Sequence, residues 1–335
     1  MNNNIVISGL GAASQIGVAI DELNQIICQG GNRAVAQNID IESLPHGLSG
    51  RQLKKLDRFT VLAISVTKLA MQDAYIHVTD ENRDKIGLLI GNTFGGWSYV
   101  ENQMYELCAG NMFAINPYVA TAWFPAAPQG EISILEKIGG YSKSFSADNL
   151  SSAYAIEHAY ELLKTDKLDI ALAGGSESPI NALITNSLIE SGDIGLSQTC
   201  SPAEGAGMLV IEKAKDALSR NIKPYAKING FTFGRELKTV VAESLNEHGF
   251  TMDKIEIISS SCLDAESDNL NKSIKSFLPI YGKTYGAEFV LDVISACLLL
   301  ANNRIKNALI LGHSNDGNIM ALSLSQFKDE GNQHV

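Results

Sequence analysis

The residues best placed for chemistry are Ser146-Ala147-Asp148-Asn149-Leu150-Ser151-Ser152-Ala153, within 141–163. A short β-type approach, Ser144-Phe145-Ser146, gives way to small and polar residues, and behind them Leu150, Ala153, Ile156, Tyr160 and Leu163 recur at helical spacing. This pattern predicts a helix that starts close to Asn149 and buries one face. Its N-terminus would gather unpaired backbone N–H groups and the positive end of the helix dipole, a setting that favours a thiolate nucleophile or an acyl oxygen. The residue presented there is Asn149, whose amide cannot attack a thioester. Asp148 and Asn149 are also both favoured N-caps, so a plain helix cap accounts for the local pattern equally well.

Other chemistry-bearing residues are scattered. The five cysteines, Cys28, Cys108, Cys200, Cys262 and Cys297, show no CxxC or zinc spacing, so they are expected to be reduced thiols of a cytoplasmic protein, with no metal and no cofactor. Cys262 is a candidate displaced nucleophile, against the plainer reading of an inert buried thiol. A formal net charge of −11, without clustered Lys and Arg, argues against nucleic acid. The longest apolar run, 293–301, is too short to span a bilayer, and the N-terminus lacks the basic start of a signal peptide. At 335 residues, with 45% hydrophobic and 19% charged residues, the chain can bury a substantial core.

The elements that must position Asn149 alternate between strand and helix. Strands are expected at 5–9, ending on turns at Gly9, Gly11 and Gly17, and at 86–91, 169–175 and 207–212; helices at about 20–27 and 57–74. Between 97 and 133 the pattern is irregular and rich in aromatics, as in a binding site or a partner-covered insertion. After 220 a similar order starts again: strand 225–230, helix 237–247, strand 255–259, helix 287–301, and strands 308–312 and 320–324. The chain therefore reads as two similar α/β halves, 1–220 and 221–335, that share a central layer of helices.

With these motifs, the chain resembles the β-ketoacyl synthases of the thiolase fold. The matching segments are Ile5-Val6-Ile7-Ser8-Gly9-Leu10-Gly11, Asp57-Arg58-Phe59-Thr60, Gly91-Asn92-Thr93-Phe94-Gly95-Gly96, Gln129-Gly130-Glu131-Ile132-Ser133-Ile134, Ala173-Gly174-Gly175-Ser176-Glu177-Ser178 and 204–212. The resemblance implies an α/β thiolase fold, a five-layered αβαβα sandwich of two pseudo-repeated halves. It also implies a Cys nucleophile and two His residues that help decarboxylate malonyl and stabilise the oxyanion. In this sequence those places are taken by Asn149, Ser261 and Lys283, and none of the six His residues matches. Where the family has a gating Phe before the last strand, Ser314 stands in His313-Ser314-Asn315-Asp316-Gly317-Asn318.

Replacement of all three catalytic residues on a retained scaffold looks like the chain length factor of type II polyketide synthases. Such a subunit heterodimerises with a ketosynthase alpha subunit, meets the acyl carrier protein through that complex and limits polyketide length. Its marker here is Pro117-Tyr118-Val119-Ala120-Thr121-Ala122-Trp123-Phe124. Helical offsets would place Pro117, Ala120 and Phe124 on one face. Phe124 is the candidate end wall of an acyl tunnel, with Met112 and Phe113 as further candidates; all could instead be plain core or dimer contacts. The resemblance implies pairing through a sheet edge near 169–174 and the insertion 97–133. Two other functions fit the sequence: a divergent condensing or acyl-transfer enzyme using Ser261, Cys262 or Lys283, or a malonyl-decarboxylating subunit in which the Asn149 amide orients malonyl, and a homodimeric acyl-binding protein.

Overall fold

The apolar runs between glycines become the inner strands of a sheet. The structure, a computed structural model, describes residues 3–29, 38–192, 201–261, 270 and 272–328. Five strands come from the first part of the chain: β1 (Ile5–Ser14), β2 (Ile86–Gly91), β3 (Ser142–Phe145), β4 (Ile170–Glu177) and β5 (Gly205–Lys213). Five follow: β6 (Ala226–Gly234), β7 (Glu256–Ile258), β8 (Ile274–Lys275), β9 (Asn307–His313) and β10 (Ile319–Ser325). Their spatial order is β3-β2-β4-β5-β1-β6-β10-β9-β7-β8. Outward from the centre, 1-5-4-2-3 on one side is repeated as 6-10-9-7-8 on the other. The directions repeat too: the two inner pairings of each side are antiparallel and the two outer ones parallel. Among the described residues the sides pair through Val6↔Lys227 and Ile7↔Ala226, so the strands amount to two five-stranded sheets meeting at a short seam.

Helices fill and cover these sheets. Helix Glu288–Ala301 is apolar almost all round and buried from Glu288 to Leu300, which marks a helix with neighbours on every side. It shares one core with helix Ser151–Lys164 and with strand residues of both sheets, including Ile7, Leu209, Ile310 and Leu322. Helix Arg58–Asp73 covers the outer face of the first sheet, against Leu88, Ile90, Leu172 and Val210. Helix Leu237–His248 covers the second, against Ile257, Leu309, Leu311 and Ala321. Helix, sheet, paired helices, sheet, helix is the five-layered thiolase-type sandwich expected from the sequence.

Three expectations need correction. Gly9 and Gly11 do not end the first strand; β1 runs on to Ser14, and the glycines let the neighbouring helix backbone approach. A Cβ on Gly11 would stand 2.0 Å from the carbonyl oxygen of Val66. The segment 169–174 is not at a sheet edge, because β4 pairs with β2 on one side and β5 on the other. The edge is β3, whose sequence Ser-Lys-Ser-Phe lacks the apolar run of an inner strand. The insertion 97–133 is also more regular than expected, holding helices Trp97–Cys108 and Val119–Ala122 and starting Ala127–Leu135. Helix Trp97–Cys108 carries Trp97, Val100, Met104 and Leu107 at helical spacing but buries none of its residues fully.

Candidate functional site

The turn between β3 and helix Ser151–Lys164 is built from its own small side chains. The Ser151 hydroxyl donates to the Asp148 carbonyl at 2.6 Å and accepts the Ala147 N–H at 2.9 Å. Asp148 takes φ +54°, a left-handed conformation that Asp tolerates better than most residues. The helix cap expected of Asp148 or Asn149 is not there: Leu150 is the N-cap, and no side chain caps it. The Asp148 carboxylate accepts instead from the backbone N–H of Asn315 at 2.8 Å. Asn149 is 7% exposed, and its side-chain oxygen has no hydrogen-bond partner.

The end of β2 presses on this turn. A Cβ on Gly91 would lie 2.3 Å from the Ser151 carbonyl carbon and 2.4 Å from the Ser152 nitrogen, which is why the strand ends in glycine. Beyond it the Thr93 hydroxyl donates to the Asp148 carbonyl at 3.0 Å. The Thr93 and Phe94 N–H groups both donate to Glu177, at the end of β4, and a third donor is the Gly286 backbone. Complete burial pushes the Glu177 carboxyl from 4.5 up to about 8, against the pull of these donors. Glu177 thus ties the β2 loop to the segment that carries Lys283.

That segment is fixed on both flanks. The Lys283 N–H and carbonyl bond Ser201 and Ala203 at 2.9 Å each. Its ammonium lies 4.9 Å above the Tyr285 ring, which meets Phe94 edge to face at 4.9 Å. Ser261, expected from the resemblance to stand for the first His, is buried. Its hydroxyl accepts the His313 N–H at 3.2 Å and lies 3.3 Å from the Ser259 hydroxyl. Beside it, Asp292 accepts the N–H and hydroxyl of Ser260 at 2.7 and 2.6 Å, and burial raises its carboxyl to about 7. The fold therefore gathers the Asn149 turn, Ser261 and the 313–315 strand end through hydrogen bonds, with Lys283 tied in through Gly286, Glu177 and Thr93.

Chemically, the site has an amide at the helix N-terminus and hydroxyls already committed to hydrogen bonds. Among the described residues, the Ser261 hydroxyl has another serine hydroxyl and a backbone N–H as its partners, not a base. Cys262 lies outside the described residues. Among the described residues no cluster of three or more His, Cys, Asp or Glu could hold a metal, and no helix is long and apolar enough to cross a membrane. The candidate tunnel residues lie on the surface of the single chain: Phe113 is 105% exposed and Phe124 54%, and Met112, Pro117 and Ala120 are exposed as well. The helix there spans only Val119–Ala122, so Pro117 and Phe124 fall beyond its ends. Sequence reasoning missed the Asp148–Asn315 contact, which joins residues far apart in the chain. It quoted Glu177 only as part of a motif, although a lone carboxylate at the end of a Gly-Ala strand was a visible signal.

Residues 33–217, more than half of the chain, match the family described as β-ketoacyl synthase, N-terminal domain. The chain belongs to the β-ketoacyl synthase family. It is 26% identical over 265 residues to 3-oxoacyl-[acyl-carrier-protein] synthase 2 of Staphylococcus aureus (strain N315), covering 69% of this chain and 62% of that protein. It is 25% identical over 218 residues to Nodulation protein E of Rhizobium leguminosarum bv. trifolii, covering 62% and 54%. The alignments thus span only about three fifths of the length of these curated relatives. Among solved structures, it resembles a chain from a type II polyketide synthase acyl carrier protein in complex with its ketosynthase bound to the hexaketide. The TM-score is 0.84 at 25% identity, over 97% of this chain and 100% of that one. The ishigamide ketosynthase/chain length factor matches at TM-score 0.86 and 16% identity, over 98% and 100%, and shows the shared fold. The family's ketosynthase scaffold is thus present with Asn149 at its helix-terminal turn.

Proposed function

We propose that this chain is a non-catalytic chain length factor that pairs with a ketosynthase in type II polyketide biosynthesis and completes the acyl tunnel of the pair. One observation carries the reading: the nucleophile turn keeps its helix, its strand and its tight glycine contact, but holds a buried amide where acyl transfer needs a thiol. Condensation then belongs to the partner, which joins malonyl, with loss of carbon dioxide, to the acyl chain on its own cysteine. The acyl carrier protein meets the complex rather than this chain alone.

The exposed aromatics of the insertion support pairing, since Tyr105, Phe113, Tyr118, Trp123 and Phe124 are each exposed in the single chain. Phe124 then faces the tunnel and limits its length. Co-expression with a type II ketosynthase should yield a one-to-one complex that elongates malonyl units, while the chain alone elongates none. Elongation of an acyl carrier protein thioester by the purified chain alone would sink the reading.

A further inference from the structure

The Asn149 turn is shut by its own neighbour. Asn315, whose N–H meets the Asp148 carboxylate at 2.8 Å, lies in the turn between β9 and β10. In the same turn the Ser314 N–H is taken by the Asn318 carbonyl at 3.0 Å, and the Ser314 hydroxyl by the Asp316 carboxylate. β9 also abuts the Asn149 turn from below, where a Cβ on Gly312 would lie 2.6 Å from the Leu150 side chain. A cavity of about 370 Å³ opens beside this contact, with Ala147, Asp148, Leu150, Tyr154 and Ser314 in its wall. Asn149, flanked by two wall residues, is not part of it.

We propose that Asp148 is a positioning residue: its carboxylate latches the 313–318 loop onto the turn and seals the Asn149 position against a carrier arm. A thioester carbonyl arriving there needs free N–H donors. Those of Ser314 and Asn315 are both taken, the second by Asp148 itself. The backbone alone does not require a carboxylate, because at φ +54° Gly and Asn serve as well. What the carboxylate adds is a charge-assisted bond to a loop more than 160 residues away. The latch is a property of this chain and does not rest on its pairing with a ketosynthase.

The test introduces a thiol by Asn149→Cys in the full chain and measures its alkylation by a chloroacetylated pantetheine, peptide by peptide, with exposed Cys108 as the internal reference. The single variant should react far more slowly than Cys108. Adding Asp148→Gly should speed the reaction about tenfold or more, the change expected for losing one charge-assisted hydrogen bond. Adding Asp148→Asn, which keeps an acceptor without the charge, should give a rate between those of the single variant and the Asp148→Gly double variant. Asn315→Pro removes the donor instead and should accelerate the thiol equally, while buried Cys297 stays unlabelled as a sign of an intact fold. Reaction of the single variant at the Cys108 rate would overturn the latch. So would unchanged rates with both Asp148→Gly and Asn315→Pro.

Discussion

Glu177→Gln should abolish the pH dependence of stability that this residue confers. Its carboxyl is fully buried and is held by the N–H groups of Thr93, Phe94 and Gly286. Burial raises its value from 4.5 to about 8. The folded value lies above the unfolded one, so the protonated form contributes fully below pH 4.5 and its stabilisation is lost as pH rises toward 8. Each pH unit in that window removes ~1.4 kcal/mol, on the order of 5 kcal/mol across the whole of it. Glu177→Gln does not titrate, but its NH₂ group faces a backbone donor, at a constant cost of about 1–3 kcal/mol. Wild type should therefore be the more stable protein at pH 5, with the gap closing and then reversing by pH 8. Urea unfolding of both proteins at pH 5, 6, 7 and 8, followed by the fluorescence of Trp97 and Trp123, measures that difference, and titrations common to both, such as those of Asp57 and Asp292, cancel. A gap that stays constant or widens with pH would refute the reasoning, because the three N–H groups would then hold the carboxylate ionised despite burial.

Arg58→Ala should cost ~3 kcal/mol or more in denaturant unfolding, since it strips the fully buried Glu204 of a bidentate partner at 2.6 and 2.8 Å. Asp57→Ala should lose ~1–2 kcal/mol and speed amide exchange at Tyr99, because one carboxylate caps helix Arg58–Asp73 and holds the Tyr99 N–H at 2.6 Å. Gly91→Ala should lower the melting temperature through overpacking of ~1–3 kcal/mol, its Cβ lying 2.3 Å from the Ser151 backbone. Phe124→Ala should leave the stability of the single chain within ~0.5 kcal/mol, as its side chain is half exposed, yet lengthen the product of the ketosynthase complex. An unchanged product length from an intact complex would remove Phe124 from the tunnel.

What could be read from the sequence followed the range over which its physics acts. Helix Arg58–Asp73 announces itself through an Asp57 cap and a run of apolar residues, and β2 through an unbroken apolar run; both fall close to the expected places. Edges were harder. β3 is four residues of mixed polarity, so its position at the rim is set by pairing with Leu88–Gly91 and not by its own pattern. Glycines misled for a related reason: in β1 they serve a helix packed across the strand, a contact that strand periodicity does not encode.

The site divides in the same way. That Asn149 occupies a helix-terminal turn was legible because the turn is local, whereas the role of its neighbour was not. A cap and a latch use the same aspartate; only the placement of Asn315 decides between them. The proposed absence of a nucleophile and the proposed latch fit together physically. A condensing site must keep N–H donors unpaired for an oxyanion, which leaves polar groups unsatisfied in the resting protein. In a subunit with no thiol to use them, as proposed here, pairing those donors lowers the energy of the fold, and Asp148 and Asn318 supply the acceptors.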